Sequence, residues 1–148
     1  MDANVVLLNS VEMSSRNLSV LLVEDSRVLA ERLRETLLCV PGVQLAGTVD
    51  SVADAVAALQ RHPVDVVLLD LHLRQGTGFG VLRAIPGSAA EKVVVIVLTN
   101  YDLAEYRRAA AALGARHFLD KLRDFDRLPT LLQQIGADIE DRDSPQPN

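Results

Sequence analysis

The stretch VDVVLLDLHL, Val64–Leu73, decides how this chain folds. A strand buried on both faces reads as an unbroken Val/Ile/Leu run, and such strands belong to parallel sheets. The apolar run here stops on a carboxylate, Asp70. A charge at the end of a buried strand has to face solvent, meet a cation or do chemistry.

Similar runs flank it. LSVLLVE (Leu18–Glu24) is a strong strand candidate, VQLAGTV (Val43–Val49) a weaker one, and KVVVIVLT (Lys92–Thr99) the most β-prone segment of the chain. RHFLDK (Arg116–Lys121) is a short last strand. Helical patterns separate them. Leu29, Leu33 and Leu37 form a stripe that Pro41-Gly42 ends. Cys39 falls inside this predicted helix and reads as a small core hydrophobe. Ser51 and Asp54 make a capping box, and Pro63 closes the helix they open. QGTGFG (Gln75–Gly80) reads as a glycine-rich loop before a short helix around Val81–Ile85 that stops at Pro86. Asp102 and Glu105 are placed to cap a fourth helix and Gly114 to end it. Leu128, Leu131, Leu132, Ile135 and Ile139 share one face of a fifth, whose first turn tolerates Pro129.

Strand followed by helix, five times over, implies an α/β fold: a doubly wound five-stranded parallel sheet with helices on both faces. The predicted domain spans 18–139. Residues 1–17 form an N-terminal extension without a clear period, and 140–148 a polar tail expected to be disordered. A length of 148 residues suits one domain, and 49% hydrophobic with 24% charged residues suits a soluble globule. A net charge of −5 argues against nucleic-acid or anionic-membrane partners. One cysteine allows no internal disulfide. No apolar stretch reaches the roughly 18 residues of a membrane span. The start, MDANVVLLNS, is a poor signal peptide, so a cytoplasmic location is expected.

In open parallel sheets ligands bind beyond the carboxyl ends of the strands. The first strand ends on Glu24-Asp25, the third on Asp70, the fourth on Thr99-Asn100 and the fifth on Asp120-Lys121. In the common order 2-1-3-4-5 the switch point lies between strands one and three, where Glu24, Asp25 and Asp70 would meet. Two unit charges about 4 Å apart cost on the order of 4 kcal/mol at an effective dielectric near 20. Three carboxylates therefore call for a cation, a proton or separation. Mg²⁺ suits them as a hard ion held by one or two carboxylates, waters and a phosphate. With a hydroxyl (Thr99) and a lysine (Lys121) nearby, such a carboxylate is equipped to accept a phosphoryl group. Each residue also has a plainer reading. Asp25 or Ser26 could cap the first helix, Asp70 could be a turn residue, Lys121 a solvated strand end and Thr99 an ordinary strand residue. His72 and His117 lie near the same edge, but no Cys/His spacing suggests zinc.

LLVEDS, VVLLDLHL, VIVLT and HFLDK, in this order, resemble the motifs of the receiver domains of two-component response regulators, the CheY-like family. Gly78 sits where that family often has a glycine, and the match covers about 18–139. The resemblance implies the flavodoxin-like order 2-1-3-4-5, with Asp70 as phosphoacceptor and Glu24, Asp25 and Asp70 around Mg²⁺. Asp25 would touch the metal directly, and Glu24 would act through water. It further implies Thr99 as the switch hydroxyl, Phe118 as the switch aromatic, for which a core role is equally open, and Lys121 as the phosphoryl-binding lysine. His72 and Tyr101, with Asn100, would modulate phosphoryl lifetime.

Three positions depart from the family pattern: Arg74 and Leu122 stand where many members have proline, and Asn100 where a small residue is usual. Without that proline, Phe125 is expected to anchor the Lys121 loop and Asp126 to cap the last helix.

The leading expectation is a stand-alone signalling module rather than an enzyme. It would take a phosphoryl group from a histidine kinase or phosphotransfer protein and act on a downstream protein partner or form a homodimer. The alternatives are a degenerate receiver that binds a partner without being phosphorylated and, less favoured, a small Mg²⁺-dependent aspartyl-phosphate phosphohydrolase. An enzyme of that kind resembling the haloacid-dehalogenase family would want a second aspartate two residues after the first, where His72 stands.

Overall fold

The computed structural model describes residues 17–85 and 92–143. Among the described residues five strands alternate with five α-helices: β1 Leu18–Val23, α1 Arg27–Leu38, β2 Val43–Val49, α2 Val52–Arg61, β3 Val66–Leu69, α3 Gly78–Ala84, β4 Val94–Thr99, α4 Ala104–Ala112, β5 His117–Asp120 and α5 Leu128–Asp143. A short 3₁₀ turn, Phe125–Arg127, leads into α5. The strands form one sheet in the order β2-β1-β3-β4-β5. All pairings are parallel, as the repeated strand–helix pattern predicts.

Alternate residues along each central strand feed opposite faces. Val20, Leu22, Val66, Leu68, Ile96 and Leu98 pack under α1 and α5. Leu21, Val23, Val67, Leu69, Val95 and Val97 pack under α2, α3 and α4. Each fully buried side chain of this kind contributes roughly 1.5–3 kcal/mol. Double burial explains why β3 carries no polar residue between Val66 and Leu69. Helix starts follow local chemistry. The Ser26 hydroxyl accepts from the Leu29 N–H at 3.3 Å. The Ser51 hydroxyl accepts from the Asp54 N–H at 3.1 Å. Ser26 thus caps α1 and leaves the Asp25 carboxylate free for other work.

Several expectations need correction. Helix α1 ends at Leu38, so Cys39 is its C-cap, and Leu37 and Val40 take the inward positions. The cysteine is exposed, not a core residue. Asp102 and Glu105 do not cap α4: Leu103 is the N-cap, without a side-chain cap bond. The Asp102 carboxylate is drawn instead to Arg107 and Arg123, at 2.7 and 2.6 Å. Asp126 does not cap α5 but lies inside the 3₁₀ turn, and Asp124 occupies that turn's N-cap. Helix α5 runs on to Asp143, so residues 140–143, expected in a polar tail, are helical. Its start leaves Pro129 in the first turn, as anticipated. The extension 1–16, Pro86 and 144–148 lie outside the described residues.

Helix α3 begins earlier than its two glycines suggest. It starts at Gly78, whose N–H donates to the Leu71 carbonyl at 2.9 Å. A Cβ on Gly78 would lie 2.5 Å from the Asp70 carbonyl oxygen and 2.8 Å from the Leu71 Cα. Backbone cannot step aside cheaply, so only glycine lets α3 start so close to the end of β3. Gly136, inside α5, meets nothing within 4 Å. Gly78→Ala should therefore lose about 1–3 kcal/mol from overpacking. Gly136→Ala should gain about 0.5–1 kcal/mol from helix propensity. Thermal unfolding checks the pair: the two Tm shifts are expected in opposite directions.

Candidate functional site

The parallel register brings the carboxyl ends of β1, β3, β4 and β5 to one edge. Backbone bonds fix the residues just past each end. The Asp70 N–H donates to the Val23 carbonyl at 3.0 Å, and the Glu24 N–H to Val49 at 2.9 Å. The Lys121 N–H donates to the Thr99 carbonyl at 2.9 Å. Glu24, Asp70 and Thr99 are all buried. Among the described residues, Glu24, Asp25 and Asp70 form a group whose carboxylate oxygens lie within 4.8 Å of one another. Three hard oxygen donors at this spacing match the donor preference of Mg²⁺.

The Lys121 ammonium sits among these acids, 2.8 Å from Glu24 Oε1 and 3.0 Å from Asp70 Oδ2. Its side chain is only 8% exposed, so both contacts are made largely out of water. Each carboxylate uses its other oxygen on backbone: Glu24 Oε2 accepts from the Ser26 N–H and Asp70 Oδ1 from the His72 N–H, both at 3.0 Å. Burial pushes the Glu24 carboxyl above its ordinary value, although Lys121 and the Ser26 N–H pull the other way. Burial alone would depress the Lys121 ammonium. The bond to Glu24 and the nearby Asp70 charge outweigh it, and its pKa is raised. One ammonium against three carboxylates leaves an excess of negative charge for a cation to offset.

Thr99 ends β4 fully buried, and its hydroxyl accepts from the Tyr101 N–H at 3.2 Å. Asn100 is exposed beside it. The rings of His72 and Tyr101 lie 4.4 Å apart, centroid to centroid, joining the loops after β3 and β4. Phe118 is half-buried against the α2–α4 side of the core, and the Arg107 guanidinium lies 4.8 Å over its ring. Arg107 is itself held by Asp102, whose carboxyl is lowered to about 2 by hydrogen bonds from Arg107 and then Arg123. Arg74 lines a cleft with Asp25, Ser26, Arg27 and Asp50 at the mouth of the site. His117 stands apart. It opens β5 rather than ending it, and burial lowers its pKa.

The turn after Lys121 contains the residue that sequence reasoning missed. Phe125 anchors it in the core, as expected. The closing contact comes from Asp124, buried and bonded to the Asp120 N–H at 2.9 Å. Both are aspartates four apart at a predicted strand end, but no local pattern ranks Asp124 above Asp126. The peptide between Lys121 and Leu122 is trans. No helix of the described residues is long and apolar enough to cross a membrane.

Residues 20–133 match the family model of the response regulator receiver domain. The acid tolerance regulatory protein ActR of Rhizobium meliloti is 32% identical over 129 residues, covering 86% of this chain and 64% of ActR. Protein-glutamate methylesterase/protein-glutamine glutaminase 5 of Myxococcus xanthus is 34% identical over 102 residues, covering 69% of this chain and 29% of that protein. The chain thus spans less than two thirds of either relative. Two solved structures share the fold. The receiver domain of Francisella response regulator 1452 has a TM-score of 0.73 at 19% identity, covering 83% of this chain and 99% of that one. The response regulator domain of Thermotoga maritima CheB has a TM-score of 0.70 at 20% identity, covering 89% and 100%. The chain belongs to the response regulator receiver domains, the phosphoacceptor signalling modules of two-component systems.

Proposed function

We propose that Asp70 is the phosphoacceptor, that Glu24, Asp25 and Asp70 hold Mg²⁺, and that the donor is the phosphohistidine of a histidine kinase or phosphotransfer protein. One observation carries this reading: the buried Asp70 carboxylate lies against Lys121 and within reach of the two acids that follow β1. In the transfer, an Asp70 oxygen forms the new bond to phosphorus as the bond to the donor nitrogen breaks, and the imidazole leaves with that electron pair. The bound cation would offset the charge of the phosphoryl oxygens. Lys121 already points its ammonium at Asp70 and can hand one N–H to a phosphoryl oxygen without leaving its place. The Thr99 hydroxyl is the neutral donor at the neighbouring strand end.

Thr99 and Phe118 are the moving parts of the proposed response. A new charge on Asp70 draws Lys121 and Thr99 toward it, and the packing of Phe118 under Arg107 changes with them. The altered surface would be read by a downstream protein or a second copy of the chain. His72 and Tyr101, with Asn100, would act on phosphoryl lifetime: the two rings touch each other from the loops after β3 and β4, and the His72 N–H is bonded to Asp70 itself.

Three measurements test the reading. Intact mass after incubation with acetyl phosphate and Mg²⁺ should show one added phosphoryl group on the wild type and none on Asp70→Asn. Equal gain in both would sink the assignment. In an NMR titration Asp25→Asn should weaken Mg²⁺ binding by at least the roughly tenfold that follows disturbance of a metal's supporting shell. Its unliganded form should be no less stable, because like-charge repulsion is relieved. Paired His72→Ala and Tyr101→Ala changes should speed phosphoryl decay severalfold while altering uptake less. Indistinguishable decay rates would remove the rings from the mechanism.

A further inference from the structure

The turn that carries Lys121 has nothing obvious to aim it. No proline follows the lysine, and the residue that does, Leu122, is 87% exposed. A long, flexible lysine side chain gives up much rotamer freedom when it is fixed. Two carboxylates can hold it only if its Cα is already well placed.

Every backbone N–H from Asp120 to Asp124 has an acceptor. The Asp120 N–H donates to Asp124 Oδ2 at 2.9 Å. The Lys121 N–H donates to the Thr99 carbonyl at 2.9 Å. Asp120 Oδ1 accepts from Leu122 at 2.9 Å and from Arg123 at 3.0 Å. The Asp124 N–H returns to the Asp120 carbonyl at 2.9 Å. Asp120 and Asp124 thus close a reciprocal clasp around Lys121. Strand β5 is the sheet edge, so the outward Asp120 N–H has no neighbouring strand to receive it. Water or a side chain has to supply that acceptor, and here Asp124 does. The Asp124 carboxylate is itself backed by Arg127 at 3.4 Å and Arg123 at 3.5 Å. Phe125, next in sequence, is sunk in the core.

We infer that the Asp120–Asp124 clasp aims Lys121 at the phosphoryl site, making Asp124 a positioning residue for transfer to Asp70. This inference rests on Asp70 being the acceptor. A purely structural role, steadying the start of α5, would lower stability without acting through Lys121.

The test uses the full chain and four variants: Asp124→Ala, Asp124→Asn, Lys121→Ala and the double Asp124→Ala/Lys121→Ala. Uptake from acetyl phosphate is timed by intact mass at saturating Mg²⁺, with Mg²⁺ affinity followed by NMR and folding by Tm. Misplacement of a reacting group by about 1 Å costs on the order of 100-fold. Asp124→Ala should therefore slow uptake roughly 10- to 100-fold, with Mg²⁺ affinity unchanged. Asp124→Asn retains an acceptor oxygen and should recover most of the rate. Lys121→Ala should be at least as slow, and adding Asp124→Ala to it should cost nothing more. If Asp124→Ala fails to fold, Asp120→Ala opens the same turn from its other end and should give the same slow uptake. Multiplying losses in the double variant, wild-type uptake in Asp124→Ala, or an Asn variant as slow as Ala would each overturn the clasp's role. A wild type that takes up no phosphoryl group would instead overturn the reading of Asp70.

Discussion

One ammonium between two buried carboxylates organises this molecule. Lys121 bridges Glu24 and Asp70 at 2.8 and 3.0 Å, joining the ends of β1, β3 and β5. Removing one member of a buried ion pair is far more costly than the pair is beneficial, because the other charge is left without compensation. The sheet order, the glycine at 78 and the turn after β5 all serve to bring these three side chains together. Their environment also stays unfinished: two of the three acids are buried, and the lysine answers only part of their charge. A receiver needs such a site, stable enough to persist and electrically incomplete enough to take in a cation and a phosphoryl group.

Much of the fold and the core of the site were legible because the apolar runs stop where the strands stop. Val66–Leu69 is apolar because both faces are covered, and Asp70 is polar because the coverage ends there. The same reasoning reads Glu24, Thr99 and Lys121 directly off the strand termini. Parallel pairing then collects them at one edge, a consequence of topology that needs no side-chain geometry. Phe118 was less certain for a physical reason. A half-buried phenylalanine in a strand packs in the core whatever else it does, and its distinguishing contact is with Arg107, from a different element.

For Asp102, Gly78 and Asp124 the deciding partner lies elsewhere in the chain. Asp102 has the spacing of a cap for α4, but Arg123, 21 residues on, competes for its carboxylate and a charged donor prevails. Cys39 sits one residue past the end of α1, where Leu37 and Val40 already occupy the inward positions. The Gln75–Gly80 segment looked like a loop because glycine disfavours helix, yet α3 starts inside it where only hydrogen fits against the Asp70 carbonyl. Asp126 carries the local signal of a cap, whereas the partner of Asp124 is an edge-strand N–H that only the sheet order exposes.

The ring contacts beside the cleft also determine what light can report. The chain has no tryptophan and two tyrosines. Tyr101 lies 4.4 Å and Tyr106 6.0 Å from the His72 ring, and Phe79 closes the group 6.1 Å from Tyr106. All tyrosine emission therefore originates from this one ring group beside the carboxyl ends of β3 and β4. The Tyr101 share of it comes from a ring on the loop after β4 set against a ring on the loop after β3, so the separation of those loops can be followed without an added label.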